Sequence, residues 1–207
     1  MLNAQNDFEE PMGPKGKSPW ITLNGEDYSD SQMCIELLAK KFDKANHLSS
    51  HLSESEQATA TAFRIMAEEH LLWVLALERF VYKKGRTMRN IQGGLPRIFS
   101  CVVPLLSRRI RNNAVAQGMG RHSEAEVYEM GAKDLRAISA YLGEKPFFTG
   151  QKATEVDCAL FGFVAQFLWN SSPGSPLEKL VKCTSPFVTC TVLHCSVQCT
   201  HSLKNII

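Results

Sequence analysis

Two short clusters combine side chains whose chemistry suits the start of a helix. Asp30 and Ser31 precede a segment of periodic apolar residues, so we expect them at a helix N-terminus. The hydroxyl and the free N–H groups there suit a bound carboxylate, and the Asp30 carboxylate suits an ammonium group. Both residue types are also common helix caps, and the sequence favours capping over ligand binding.

The second cluster is Thr154 and Asp157, which open an almost wholly apolar segment that runs to Trp169. Threonine followed three residues later by aspartate is typical of a capping box, in which the side chains satisfy main-chain donors. Because a helix that is apolar on all sides is buried, we expect this box to lie in a core. Its predicted role is therefore structural.

A third cluster lies near the C-terminus and contains Cys190, His194, Cys195, Cys199 and His201. Thiolate and neutral imidazole ligands would favour zinc. No Cys-x-x-Cys pair is present, however, and the spacings of four to five residues fit no standard zinc motif. We therefore predict no metal site. The scattered histidines also form no Ser-His-Asp arrangement, so no catalytic residue is predicted.

The basic residues are concentrated in one part of the chain. Between Glu78 and Glu124 there is no acidic residue, whereas nine lysines and arginines occur from Lys83 to Arg121. The sequence favours solvated helix ends as the explanation. The alternative is a surface for an anionic membrane or an acidic partner. Few aromatic residues are interleaved with these charges, so we predict no nucleic-acid partner.

Length and composition are those of an ordinary globular protein. The chain has 207 residues, 44% hydrophobic residues and a formal net charge of +2. We expect no membrane-spanning segment, because no apolar run reaches about 18 residues. The first residues do not match a secretory signal. The separate cysteines Cys34, Cys101 and Cys158 are typical of a reduced protein, so we expect this form in the cytosol.

The chain divides into four parts. Residues 1–16 are polar and rich in glycine and proline, and we predict a flexible leader. Residues 17–44 predict two strands joined by Asn24-Gly25, a pair typical of a type I′ turn, and then a helix. Residues 53–182 predict one helix over 53–84, a helix that is kinked at Pro104 or starts near Val103, and further helices. Residues 183–207 form a divergent, cysteine-rich tail.

This order of elements resembles the glutathione transferase family. The resemblance rests on Ser18-Pro19-Trp20-Ile21, on Asp30-Ser31-Gln32 and on residues 147–168, and covers about residues 15–182. The amino-acid sequence of these segments is most similar to the metaxin-like branch and, within it, to failed axon connections proteins. The resemblance implies a mainly α fold. An all-helical glutathione-transferase-like C-terminal domain would follow a partial thioredoxin-like β-hairpin–helix unit.

The resemblance also implies a ligand site. Pro19 would be the family's cis-proline, and Ser18 would pair through its backbone with glutathione. Asp30 and Ser31 would hold the γ-glutamyl end of that tripeptide. Glutathione is the one ligand implied, and no other cofactor is predicted.

The family's thiol-activating Tyr, Ser or Cys lies in a strand-helix-strand segment ahead of the hairpin, and residues 1–16 lack that pattern. We therefore expect a non-catalytic interaction or scaffold protein, for which the resemblance implies a role in axon development. The alternative is a glutathione-dependent transferase. The divergent ends suggest a truncated or alternative-transcript form. Longer family members resemble membrane-anchored proteins, and homodimers are common in the family. The sequence identifies no protein partner.

Overall fold

The structure is a computed structural model that describes residues 2–3, 13–16, 18–42, 49–84, 99–171 and 174–183. The chain forms two compact units, Met1–His51 and Leu52–Ile207.

The first unit is a small antiparallel sheet followed by a helix. Strands β2 (Trp20–Leu23) and β3 (Glu26–Ser29) pair in register, with Leu23 opposite Glu26. The turn residues Asn24 and Gly25 both have positive φ, 56° and 86°, as a type I′ turn requires. Helix α1 (Ser31–Phe42) follows. The predicted hairpin and helix are therefore confirmed.

The prediction of a flexible leader over residues 1–16 is wrong for Leu2 and Asn3. These two residues form strand β1 (Leu2–Asn3), which pairs antiparallel with β2, and the sheet order is β1-β2-β3. Two residues carry no readable strand periodicity, so the sequence pattern could not indicate this pairing. The partner strand supplies the hydrogen bonds that make it.

The second unit begins with a long helical rod. It consists of α2 (Glu54–Met66), a π-helical segment (Ala67–Leu71), α3 (Leu72–Ala76) and a second π-helical segment (Leu77–Tyr82). A continuous helix over 53–84 was expected, and the structure adds the two π-helical segments. The inner face of the rod contributes Ala67, Leu71, Val74 and Leu77 to the core, all nearly inaccessible to solvent.

Helix α4 (Phe99–Gln117) runs antiparallel to this rod. The Ser107 hydroxyl donates to the Phe80 carbonyl, and the Gln117 side chain donates to the Glu69 carbonyl. Pro104 lies inside α4, so the start predicted near Val103 is wrong and the helix begins about one turn earlier. The first turn of a helix has free N–H groups, and a proline soon after it removes few hydrogen bonds.

Three more helices complete the unit: α5 (Glu124–Leu142), α6 (Glu155–Trp169) and α7 (Pro176–Cys183). A hydrogen bond between His70 and Asp134 ties the rod to α5. Helix α6 buries Val156, Leu160 and Phe167.

The expectation that α6 is buried on all sides is wrong. Cys158, Gly162 and Trp169 are exposed and share one side of the helix. An apolar stripe of this kind can remain exposed, because folded proteins always leave part of their apolar surface in water. Among the helices that the structure describes, none has the length and apolarity needed to cross a bilayer.

Candidate functional site

The hairpin brings four predicted ligand residues to one end of the sheet. Trp20 at the start of β2 pairs with Ser29 at the end of β3. Ser18 and Pro19, just before β2, therefore lie at the same end as Asp30 and Ser31, just after β3. The Ser18–Pro19 peptide bond is cis. We call this group of four residues the hairpin end.

Asp30 caps helix α1 at the hairpin end. Its Oδ1 accepts hydrogen bonds from the main-chain N–H groups of Gln32 and Met33, at 3.1 and 3.4 Å. Its carbonyl accepts from the Cys34 N–H at 2.9 Å. Asp30 and Ser31 are both exposed, so a carboxylate and a hydroxyl face solvent at the positive end of the α1 dipole. The arrangement therefore serves capping and leaves both side chains accessible to a polar ligand.

Asp30 adopts a backbone conformation that is unusual for a residue with a side chain. Its φ is 85°, in the left-handed region. Aspartate and asparagine occur there more often than other non-glycine residues, because their short polar side chains bond to the local backbone. The two hydrogen bonds to Gln32 and Met33 provide that compensation.

Gly13 belongs to the predicted leader, but it packs against Trp20 and Ser29, the strand residues next to the hairpin end. A Cβ atom on Gly13 would lie 2.5 Å from Trp20 Cγ and 2.9 Å from Ser29 Oγ. A glycine is therefore required for this close approach. The pattern of residues 1–16 carries no signal for it, because the contact joins segments that only the folded sheet brings together.

The thiol and the phenol nearest in sequence to this site are not activated. Burial raises the pKa of the Cys34 thiol, and the Asp30 charge raises it further. The Tyr28 hydroxyl donates to Glu26 Oε2 at 2.6 Å, and this bond to a carboxylate raises the tyrosine pKa. Both groups therefore stay protonated at neutral pH. A nucleophilic thiolate requires a thiol whose pKa is lowered, not raised.

The capping box at the start of α6 is buried, and both oxygens of its carboxylate accept hydrogen bonds. Asp157 Oδ2 accepts from the Thr154 N–H at 2.8 Å and from the Thr154 hydroxyl at 2.7 Å. Asp157 Oδ1 accepts from the Phe148 N–H at 2.6 Å. Thr154 is fully buried and Asp157 is 4% exposed. One carboxylate thus joins the 146–150 segment to the first turn of α6, which is a structural role.

The remaining sequence clusters are only partly described. Cys190, His194, Cys195, Cys199 and His201 lie outside the described residues, as do Arg86, Arg89 and Arg97 of the basic region. Within the part of the chain that the structure describes, no three His, Cys, Asp or Glu side chains cluster as metal ligands would.

Two family models match the chain. The glutathione S-transferase N-terminal domain model covers residues 2–85, and the C-terminal domain model covers residues 131–188. Together they account for more than half of the sequence. This chain belongs to the glutathione-transferase-like family. The N-terminal match includes Leu2 and Asn3 of strand β1.

Three curated relatives agree with this assignment. Failed axon connections of Drosophila melanogaster is 32% identical over 73% of this chain and 39% of that protein. Isoprene-epoxide–glutathione S-transferase of Rhodococcus is 31% identical over 72% of this chain and 64% of that protein. The metaxin-2 homolog of Caenorhabditis elegans is 31% identical over 73% of this chain and 66% of that protein. The chain therefore spans roughly two fifths to two thirds of these relatives.

A solved structure shows the same fold. The beta-etherase LigF from a Sphingobium strain superimposes with a TM-score of 0.60 at 15% identity, over 87% of this chain and 74% of that one. The predicted architecture, a thioredoxin-like unit followed by an all-helical domain, is thus confirmed.

Proposed function

We propose that this protein is a non-catalytic, glutathione-transferase-like interaction protein. The observation that carries the proposal is the geometry of the Tyr28 and Cys34 donors in the unit that would hold glutathione. The Tyr28 hydroxyl donates to Glu26 Oε2 at 2.6 Å, and the Cys34 thiol donates to the Tyr28 carbonyl at 3.4 Å. A group that activates a thiol must stabilise the thiolate, and both of these donors are already used within the chain.

The relatives support the same view. The names of Failed axon connections and of the metaxin-2 homolog state no reaction, and these proteins match about three quarters of the chain. A part in axon development is proposed from the first of these similarities. Cys34 forms no disulfide within the part of the chain that the structure describes, which supports a reducing compartment, and we propose a cytosolic location.

The second candidate is a glutathione-dependent transferase. Two observations favour it. The four residues of the hairpin end lie together, as the family's glutathione site would require. A relative of similar identity is named as a glutathione S-transferase. In this case Asp30 would bind the ammonium of the γ-glutamyl group, and the N-terminus of α1 would bind its carboxylate.

Retention on immobilised glutathione, combined with turnover of an aryl halide electrophile, separates the two candidates. The informative variant is Asp30→Asn, because asparagine caps helices about as well as aspartate but carries no charge for an ammonium. The matched control is Asp27→Asn, whose carboxylate is exposed and accepts from Thr22 Oγ1 at 2.7 Å. Under our proposal the wild-type chain is expected to show no turnover above background, so neither variant should change it. Turnover that is lost in Asp30→Asn and kept in Asp27→Asn would establish the transferase instead.

A further inference from the structure

The solvent side of helix α4 combines exposed apolar and basic side chains. Val102 is 48% exposed and Leu105 is 71% exposed, which is unusual for side chains of this size. Arg108, Arg109 and Arg111 are exposed as well. Val102, Leu105, Arg108 and Arg109 are called the α4 outer face. It is built from a helix that contains no acidic residue.

Helical spacing places these residues on one side. Val102, Leu105 and Arg109 follow each other at intervals of three and four residues, so they form one stripe along the helix. Arg108 lies beside that stripe, three residues after Leu105, whereas Arg111, nine residues after Val102, lies on another side of the helix. Ala114 is fully buried and marks the opposite, inner side of the helix. The apolar and basic groups therefore face solvent together.

The neighbouring rod adds positive charge near the apolar end. Since α4 runs antiparallel to the rod, with Ser107 bonded to Phe80, the exposed Lys84 lies toward the N-terminal half of α4. Glu69 lies at the other end, where its carbonyl accepts from Gln117. Glu124, which raises the pKa of Tyr82, belongs to the start of α5 and not to α4. Because α4 contains no acidic residue, the α4 outer face combines apolar area with the positive charge of Arg108 and Arg109.

We propose that the α4 outer face docks on the surface of an anionic lipid bilayer. Arginine guanidinium groups bind phosphate oxygens through two parallel hydrogen bonds, and a lipid surface offers many such phosphates. Exposed leucine and valine side chains beside them enter the boundary between headgroups and acyl chains. We choose a bilayer because guanidinium groups and large exposed apolar side chains in one stripe match its phosphate headgroups and acyl chains respectively. The contact is peripheral, because α4 is amphipathic.

Co-sedimentation with vesicles tests this docking. The full chain is incubated either with vesicles of phosphatidylserine and phosphatidylcholine or with vesicles of phosphatidylcholine alone. We expect binding to the anionic vesicles. The double variant Arg108→Gln, Arg109→Gln should bind them about 25-fold more weakly, since each basic residue at an anionic surface contributes roughly five-fold. Leu105→Gln should weaken binding further at constant charge.

The control removes the same number of charges from another side of the unit. The double variant Lys133→Gln, Lys152→Gln changes two exposed basic residues outside α4. It should bind anionic vesicles nearly as well as the wild type. Circular dichroism of every variant establishes that the helices are intact.

Several results would overturn the proposal. An equal loss in both double variants would reduce the effect to net charge, and equal binding to neutral vesicles would remove the role of the arginines. Absence of binding to anionic vesicles would also refute it. If Leu105→Gln instead converts a dimeric chain to a monomer in sedimentation velocity, the α4 outer face is an interface between copies of the chain.

Discussion

Replacement of Asp157 by alanine should be one of the most destabilising single changes in the helical unit. The side chain accepts three hydrogen bonds, from the N–H groups of Phe148 and Thr154 and from the Thr154 hydroxyl. In the variant, two main-chain donors would stay buried without partners. Each buried donor that loses its partner costs about 1–3 kcal/mol, so we expect the free energy of unfolding to fall by about 3–5 kcal/mol.

Urea unfolding followed by far-ultraviolet circular dichroism measures this loss. A domain has a total stability of about 5–15 kcal/mol, so the change removes a large share of it. With a urea dependence of about 2 kcal/mol/M, the unfolding midpoint should fall by about 2 M. The slope of the transition should not change, because the surface exposed on unfolding stays nearly the same.

A second capping box in the same unit provides the control. Glu126 Oε2 accepts from the Ser123 N–H at 2.8 Å and from the Ser123 hydroxyl at 2.7 Å, nearly the same geometry as at Asp157. This box is exposed, so water can replace the lost carboxylate in Glu126→Ala. The midpoint should therefore shift much less than in Asp157→Ala. Equal shifts in the two variants would contradict the argument, because burial would then contribute nothing.

Three further predictions concern packing, titration and thiol reactivity. Gly131→Ala places a Cβ 2.8 Å from a core methyl group and should lower the free energy of unfolding by about 1–3 kcal/mol. In Gly162→Ala the added Cβ meets no atom within 4 Å, so this change should stabilise α6 by about 0.5–1 kcal/mol. The urea midpoints of the two variants check both signs. Glu78 is 1% exposed, and burial raises its pKa. The stability of the wild type should therefore fall as pH rises from about 4.3, the pKa of an unfolded glutamate, through the raised pKa of the folded state. Glu78→Gln should remove this loss, and a pH profile of the urea midpoint that is the same in both proteins would refute the prediction. Iodoacetamide should label the exposed Cys158 before the buried Cys34 in the native protein, and peptide mapping that finds Cys34 first would indicate an activated thiol.

Features that depend on neighbouring residues could be predicted from the sequence. The Asn24-Gly25 turn was found because only a few residues tolerate positive φ at both positions. The box of Thr154 and Asp157 was found because its two residues lie one helical turn apart. The hairpin end followed from these local features, since a correct register fixes which residues meet at each end of the sheet.

Features that depend on distant segments could not be predicted. The close approach of Gly13 to Trp20 requires the folded sheet, and nothing in residues 1–16 indicates it. The π-helical segments at Ala67–Leu71 and Leu77–Tyr82 preserve the apolar pattern of an ordinary helix, so periodicity does not distinguish them. The exposure of Trp169 is likewise a property of the packed unit rather than of the α6 sequence.

The hairpin end shows why a ligand site and a cap are difficult to separate by sequence alone. Asp30 has a φ of 85°, a conformation that glycine or asparagine adopts at least as easily. Its Oδ1 completes the cap of α1, and asparagine would do the same with its amide oxygen. The feature that aspartate adds is its negative charge, which stabilises the helix N-terminus modestly and would also bind an ammonium group. Any effect of Asp30→Asn beyond a small change in stability therefore reports on a cationic group of a ligand, because the cap itself is preserved.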